Sequence, residues 1–377
     1  MKNNKLYWRI IIVVSVLSVI LNFAACFRKF CDVYTKVIYM KITDILGWLF
    51  GLFPVAAGEI LMYAAGIIIA AAFIILIILI FLRKKSGFRK FAASYMKSVL
   101  MILVCVVFIY TVNWIIPLRT TPLSPGTEEK RSYTVEELRI LRKYIVESTN
   151  KLCDEVPRDE NGTLLIPDQL DEDIIKAMKN VSDELPLLDG YYPHPKAALC
   201  SGVLSWMNIG GYTYPYTKEI QYNKYDTRLS YPSLIAHEYS HYRGYFRENE
   251  GEFAGFLACA SSENPLIRYS GFIQVFHYVD NAFFDSLENS CSEEEYIFEL
   301  VNAEYLYQEV WDDIDNSISE ADELYENEVS DFAENTFSPI AEEAADTGWS
   351  TQKKILKEAS YDGVTELLLQ YYDGILY

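Results

Sequence analysis

Pro232-Ser233-Leu234-Ile235-Ala236-His237-Glu238-Tyr239-Ser240-His241-Tyr242-Arg243-Gly244 is the stretch from which both the fold and the chemistry of this 377-residue chain are read. Pro232 suits the first turn of a helix, where a missing N–H costs nothing, and Leu234, Ile235 and Ala236 carry the helical context forward. In a helix, residues four apart stand on one face, so His237 and His241 present two imidazoles to one cation with Glu238 beside it. The chain has four His, and two of them form this pair. Zn2+ binds neutral imidazole nitrogens, and three protein ligands leave a fourth position for a water whose pKa the metal lowers towards about 7. Glu238 is then expected to take that water's proton and pass it to the departing amine, hydrolysing an amide without a covalent intermediate.

A third ligand is sought in Tyr242-Arg243-Gly244-Tyr245-Phe246-Arg247-Glu248-Asn249-Glu250-Gly251-Glu252-Phe253. Gly244 suits the left-handed position that ends a helix and turns the chain back. A metzincin would carry His or Asp where Arg247 stands, and Arg cannot ligate zinc, so that class is excluded. With a second helix starting near Glu248, Glu248 and Glu252 share a face, and one can bind metal while the other orients a ligand histidine. Glu250 would face elsewhere. Each of these acids would otherwise be an ordinary carboxylate at a solvated helix start. The arrangement resembles the gluzincins, in which a Glu on a second helix is the third ligand and an acidic or amide residue four positions later supports the site. That resemblance implies Glu248 as ligand and Glu252 in support, with Glu250 as the alternative ligand.

Around this centre, Tyr212 to Tyr225 is rich in Tyr, Thr and Ile between turn residues and is read as strand or hairpin. Lys218-Glu219-Ile220-Gln221-Tyr222-Asn223 is a candidate edge strand for an extended peptide, with a plain hairpin as the alternative. His277 and Tyr278 are candidate stabilisers of an oxyanion, against simple packing or exposure. His194, between Pro193 and Pro195, is read as a loop residue. From Pro232 onward the chain reads as helical, with breaks near Gly244, Asn264-Pro265, Asn289-Ser290 and Gly348.

Upstream the composition changes sign. Residues 1–117 carry thirteen Lys or Arg against Asp32, Asp44 and Glu59, whereas the remaining 260 residues carry 49 acids against twenty bases. A basic anchor joined to an acidic domain has no basic face for phosphates, which excludes nucleic acid as a partner. Ile10–Phe27, Ile60–Leu82 and Ser98–Leu118 are uncharged stretches of membrane-spanning length. Phe23-Ala24-Ala25-Cys26 only weakly resembles a lipoprotein cleavage site, so the first run is read as a span. Lys2, Lys5 and Arg9, and the bases from Arg83 to Lys97, belong in the cytoplasm by the positive-inside rule, which puts the acidic domain outside. Ile42, Ile45, Leu46, Trp48, Leu49 and Phe50 suggest a helix lying in the interface. Residues 119–131, with Pro122, Pro125 and Gly126, read as a linker, and Asn161-Gly162 as a turn. Thr134 with Glu137 forms a candidate capping box, and a second helix is expected from Asp168 to about Leu185. Seven Cys without paired short spacings suit neither a disulfide framework nor a Cys zinc site, and Cys259 is read as core packing.

Nearly the whole chain is similar to a bacterial family of three-span membrane proteins catalogued as domain of unknown function 3810. The similarity rests on Leu49-Phe50-Gly51-Leu52-Phe53-Pro54, on Gly211-Tyr212-Thr213-Tyr214-Pro215-Tyr216-Thr217 with Glu219 and Asn223, and on His237-Glu238-x-x-His241-x-Arg243-Gly244. It continues through Arg247-Glu248-x-Glu250, Arg268-Tyr269-Ser270-Gly271 and Ser360-Tyr361. Where that family carries Glu-Asp-Glu-Ala-Asn, this chain has Glu248-Asn249-Glu250-Gly251-Glu252, a departure at Glu252. The resemblance implies a peptidase of the bacterial cell membrane without naming a substrate.

The expectation is an α+β, mainly α chain. Residues 1–118 form a three-helix membrane anchor with spans at about 10–27, 60–82 and 98–118, followed by the linker. Residues 132–377 form a zincin-like extracytoplasmic domain with a small sheet. Its expected partners are the lipid bilayer and a peptide or protein substrate. A zinc-binding membrane sensor without turnover is the alternative function, which an intact Glu238 argues against.

Overall fold

Long runs of apolar residues with few Pro or Gly, Gly66 inside the second and Pro117 at the end of the third, lead the N-terminal third of the chain to form helices. The computed structural model describes residues 2–82, 84–123, 133–160, 162–356 and 363–377. The chain divides into two compact units, Met1–Thr121 with Tyr214–Glu219, and Pro122–Thr213 with Ile220–Tyr377.

The first unit runs α1 (Lys2–Ala24), α2 (Arg28–Tyr34), a π-helical turn (Thr35–Tyr39), α3 (Met40–Gly51), α4 (Ala57–Leu82), α5 (Ser86–Tyr110), a second π turn (Thr111–Ile115) and α6 (Ile116–Leu118). Three helical stretches, Asn4–Ala24, Ala57–Leu82 and Ser86–Leu118, are long and apolar enough to cross a membrane. The third begins twelve residues before the expected Ser98. Arg89, Lys90 and Lys97 are good helix formers, so the helix propagates back to the turn at Lys84-Lys85. The first stops at Ala24, where Cys26 and Phe27 close tight turns onto Phe23 and Ala24. Along these helices Ile67, Phe73, Ile80 and Phe81 are more than 60% exposed, as a lipid-facing surface requires. Tyr7 donates to Lys97 O, Tyr95 to Ile68 O and Asn22 to Thr111 Oγ1, tying α5 to both neighbours.

The second unit runs α7 (Val135–Glu155), α8 (Leu170–Asn180), β1 (Lys196–Ala197), α9 (Ser201–Trp206), β2 (Gly211–Thr213), β3 (Ile220–Tyr222), α10 (Tyr231–Arg243), α11 (Glu248–Ala260), α12 (Pro265–Ser290), α13 (Glu293–Asn302), α14 (Gln308–Glu328), α15 (Asp331–Leu356) and α16 (Val364–Tyr372). The fold is α+β and mainly α. Thr134 and Glu137 close both bonds of the capping box that opens α7. Helix α8 is shorter than expected at both ends. The three strands form one sheet in the order β1-β3-β2, β1 parallel and β2 antiparallel to β3. β3 is therefore central, with its backbone groups taken on both sides, and Lys218–Asn223 cannot serve as an edge for a substrate. The break expected at Gly348 is absent, because α15 runs through both Pro339 and Gly348. One interior Gly costs a helix only about 1 kcal/mol.

One core joins these elements: Leu141, Ile145 and Leu152 of α7, Ile174 and Met178 of α8, Ile235 and Tyr239 of α10, Ala254 and Ala258 of α11, and Phe272, Val275 and Val279 of α12. Cys259 is buried within it as a thiol. Most of residues 119–131 and Asn161, Ser360 and Tyr361, named above from sequence, lie outside the described residues.

Candidate metal centre

Pro232 stands in the first turn of α10, and at the other end Gly244 adopts φ 114° and ψ 3°, its N–H bonding to Ser240 O and His241 O. Tyr245 N–H then bonds Ser240 O, which swings the Tyr245 carbonyl back to 2.7 Å from His241 Nδ1. A carbonyl can only accept, so Nδ1 carries the proton and the Nε2 lone pair of the neutral ring points the other way. His237 Nδ1 similarly lies 2.7 Å from Glu252 Oε2. Both imidazoles thus have Nδ1 against an oxygen, hydrogen-bonded in His241 and a charge contact in His237, with Nε2 available, as in metal-binding histidines.

Arg247 precedes α11 in an extended conformation, so Glu248 is the first helical residue and Glu252 stands one turn on. Helix α11 lies close against α10 because Gly251 and Gly255 face it. A Cβ at Gly255 would sit 2.9 Å from His237 N, and one at Gly251 would sit 2.8 Å from His241 Cε1. That approach brings Glu248 Oε2 to 3.3 Å from both His237 Nε2 and His241 Nε2. The three donor atoms lie within 4.8 Å of one another. Two ligand atoms bonded at about 2.0–2.1 Å to one tetrahedral zinc stand about 3.3–3.4 Å apart, so the two spacings from Glu248 to the histidines fit that ion.

Glu238 is 4% exposed. Thr213 of β2 donates its hydroxyl to Glu238 Oε2 at 3.0 Å and to Glu238 O at 2.9 Å. Gly211, in the same strand, leaves room for the carboxylate arm, since a Cβ there would be 3.2 Å from Glu238 Cγ. Burial pushes the Glu238 carboxyl up, against the charges of His241 and His237. For both histidines burial acts to lower the pKa, but neighbouring carboxylates outweigh it and hold the rings above the usual imidazole range. Glu248, raised by burial but lowered more by His241 and His237, ends well below the usual carboxylate range.

The remaining sequence candidates separate. Glu250 accepts from Leu123 N–H at 2.8 Å and Arg247 Nη1 at 3.1 Å, and the three-donor group does not include it. Glu252 accepts Gln274 Nε2 at 2.6 Å as well as lying against His237. Tyr278, half-buried on α12, feels the charges of Glu252 and Glu248, and the exposed His277 beside it feels that of Glu252. His194 is an exposed loop residue, 3.7 Å from Asp171. Sequence reasoning gave no role to Thr213, Gln274, Gly251, Gly255 or Arg243. The buried Arg243 guanidinium donates to Leu187 O and Asp189 O and leaves no room for a Cβ at Gly190. A Gly inside a strand is a signal of close approach, but Gly211 lies one residue before the strand expected from Tyr212, so even that signal is missed.

No curated protein and no solved structure matches the chain. The model of one family matches residues 34–369, from α2 to α16, and so takes in the histidine helix, the glutamate helix and the sheet. The chain belongs to the family described as Protein of unknown function (DUF3810).

Proposed function

We propose that this protein is a membrane-anchored zinc peptidase that hydrolyses peptide bonds on the outer side of the membrane. The observation that carries the reading is the convergence of His237 Nε2, His241 Nε2 and Glu248 Oε2, with the Glu238 carboxylate on the next residue of the same helix. Zinc, when bound there, supplies Lewis-acid chemistry, acidifying a water and polarising a carbonyl.

Glu238 accepts the proton of the attacking water and returns it to the leaving amine. Burial, which favours the neutral acid, suits it to hold that proton between the two steps. Thr213 fixes one carboxylate oxygen and leaves the other for the proton. Tyr278, half-buried and within the field of Glu252 and Glu248, is the candidate donor for a developing oxyanion. Strand β2, not β3, is the sheet edge beside Glu238 and the place for an extended peptide to pair. Lys5 and Arg9 at the N-terminal end of the first span and Lys84 and Lys85 between the second and third support a cytoplasmic N-terminus and an outer peptidase domain.

Zinc content and cleavage of a peptide library by the full-length protein in detergent test the reading together. His237→Ala is expected to lose stoichiometric zinc. Glu238→Gln is expected to keep zinc and lose cleavage by about 10²–10⁴-fold, the worth of a positioned base. Full cleavage by Glu238→Gln, or unchanged zinc in His237→Ala, would refute it.

A further inference from the structure

A cavity of about 670 Å³ opens in the first unit where α4 ends and α5 begins. Its lining divides by chemistry. Ser86, Arg89 and Lys90 supply polar and cationic groups, while Leu79, Ala92, Ala93 and Met96 supply an apolar floor. Both kinds of wall arise from the sequence of one turn and the helix after it. Lys84 and Lys85 close the turn, Lys85 N–H bonding Leu82 O, and no side chain caps the first turn of α5. Free N–H groups at the start of a 25-residue helix add a positive dipole end to the same spot. Small Ala92 and Ala93, nearly two turns into α5, keep the cavity from being filled.

Lys84, Lys85, Arg89 and Lys90 have no acidic partner among the described residues. Among the described residues of this unit the carboxylates are Asp32, Asp44, Glu59 and Glu219. Asp32 accepts from Thr121, Glu59 from Tyr63, and Glu219 from Ala57 N–H and Gly58 N–H. The apolar floor continues into exposed Ile80, Phe81 and Phe91, side chains suited to acyl tails.

We propose that this cavity is a binding site for an anionic phospholipid, its phosphate held by Arg89, Lys90 and the first turn of α5 and its tails lying on α4 and α5. Charge selects the headgroup: a guanidinium and an ammonium over a helix N-terminus favour a phosphate whose net charge remains negative over a zwitterionic one. The apolar floor selects a lipid over a free anion, because inorganic phosphate gains nothing from Leu79, Ala92, Ala93 and Met96. The site is independent of the peptidase reading and shares no residue with it.

Native mass spectrometry of the full-length protein from detergent, titrated with phosphatidylglycerol, phosphatidylcholine or inorganic phosphate, is the test. Wild type is expected to retain phosphatidylglycerol preferentially. Arg89→Ala/Lys90→Ala is expected to weaken that adduct at least about tenfold, two cations each contributing about 1 kcal/mol near an anionic headgroup. Ala93→Phe, which fills the cavity and keeps every charge, is expected to weaken it too. Lys5→Ala/Arg9→Ala, which removes the same charge elsewhere in the unit, is expected to leave it intact. Adducts are read on monodisperse protein with the helical content and melting temperature of wild type, so a misfolded variant is not mistaken for loss of the site. Equal retention of phosphatidylcholine, equal loss in the Lys5/Arg9 control, an unaffected Ala93→Phe variant, or displacement of lipid by millimolar phosphate would each overturn the proposal.

Discussion

At Glu252 one carboxylate oxygen lies 2.7 Å from His237 Nδ1 and the other accepts from Gln274 Nε2. Such a partner fixes the ring and raises its basicity, and its loss weakens metal binding about 10–100-fold. Glu252→Ala should therefore bind zinc that much more weakly in competition with a chelating dye while the fold survives; unchanged affinity would remove Glu252 from the centre. Glu250, two residues earlier, has the opposite fate. It is 2% exposed and paired with Arg247, itself 6% exposed. Removing one member of a buried pair costs about 3–5 kcal/mol, so Glu250→Ala should lower the melting temperature of the protein yet leave zinc per folded molecule unchanged. The sequence made Glu248 and Glu252 legible through their helical spacing. Glu250's task was not legible, because one of its partners, Leu123, lies far away along the chain.

Helices α10 and α11 hold the centre because two glycines on one let the backbone of the other approach. The start and stop of α10 were readable from Pro232 and Gly244, local signals that act through the backbone of their own neighbours. Packing was not readable, since nothing local distinguishes Gly255 from a tolerated helix glycine. The sheet shows the same limit. β1 is only two residues long and pairs in parallel with a strand more than twenty residues later, so β3 read as an edge when it is the centre. Gly255→Ala tests the packing claim. The added Cβ would meet the His237 backbone, which cannot swing away as a side chain tip would. Overpacking of this kind costs about 1–3 kcal/mol, and here the displacement falls on the ligands themselves. The variant should lose zinc affinity well beyond its loss of stability, measured by metal titration and thermal unfolding on the same sample. Zinc affinity equal to wild type would mean that the helices part without moving Glu248.

Across the whole molecule, the hairpin that carries Thr213 is split between the two units: its strands belong to the second, and its tip, Tyr214–Glu219, to the first. Inside the first unit that tip is held by buried polar groups. Glu219 accepts from Ala57 N–H and Gly58 N–H at the start of α4 and from Thr217 Oγ1, satisfying donors a helix start leaves open. Lys218, fully buried at φ 59°, donates to Tyr39 Oη at 3.0 Å and Asn113 O at 3.1 Å, its ammonium 4.4 Å from the Tyr39 ring centroid. Burial lowers the Lys218 pKa well below that of a free lysine. The folded state then releases a proton that the unfolded state keeps up to pH of about 10.4. Stability must rise with pH between the folded and unfolded values, at up to about 1.4 kcal/mol per unit, and fall again as pH drops through the folded value. Thermal unfolding of the full-length protein between pH 7 and 10 measures that slope, and Lys218→Met, similar in length but without charge, isolates it. The difference between wild type and variant should grow more favourable to wild type as pH rises. Parallel slopes would show that the ammonium keeps its proton inside the fold, and that the Tyr39 ring and the Asn113 carbonyl suffice to hold a charge there.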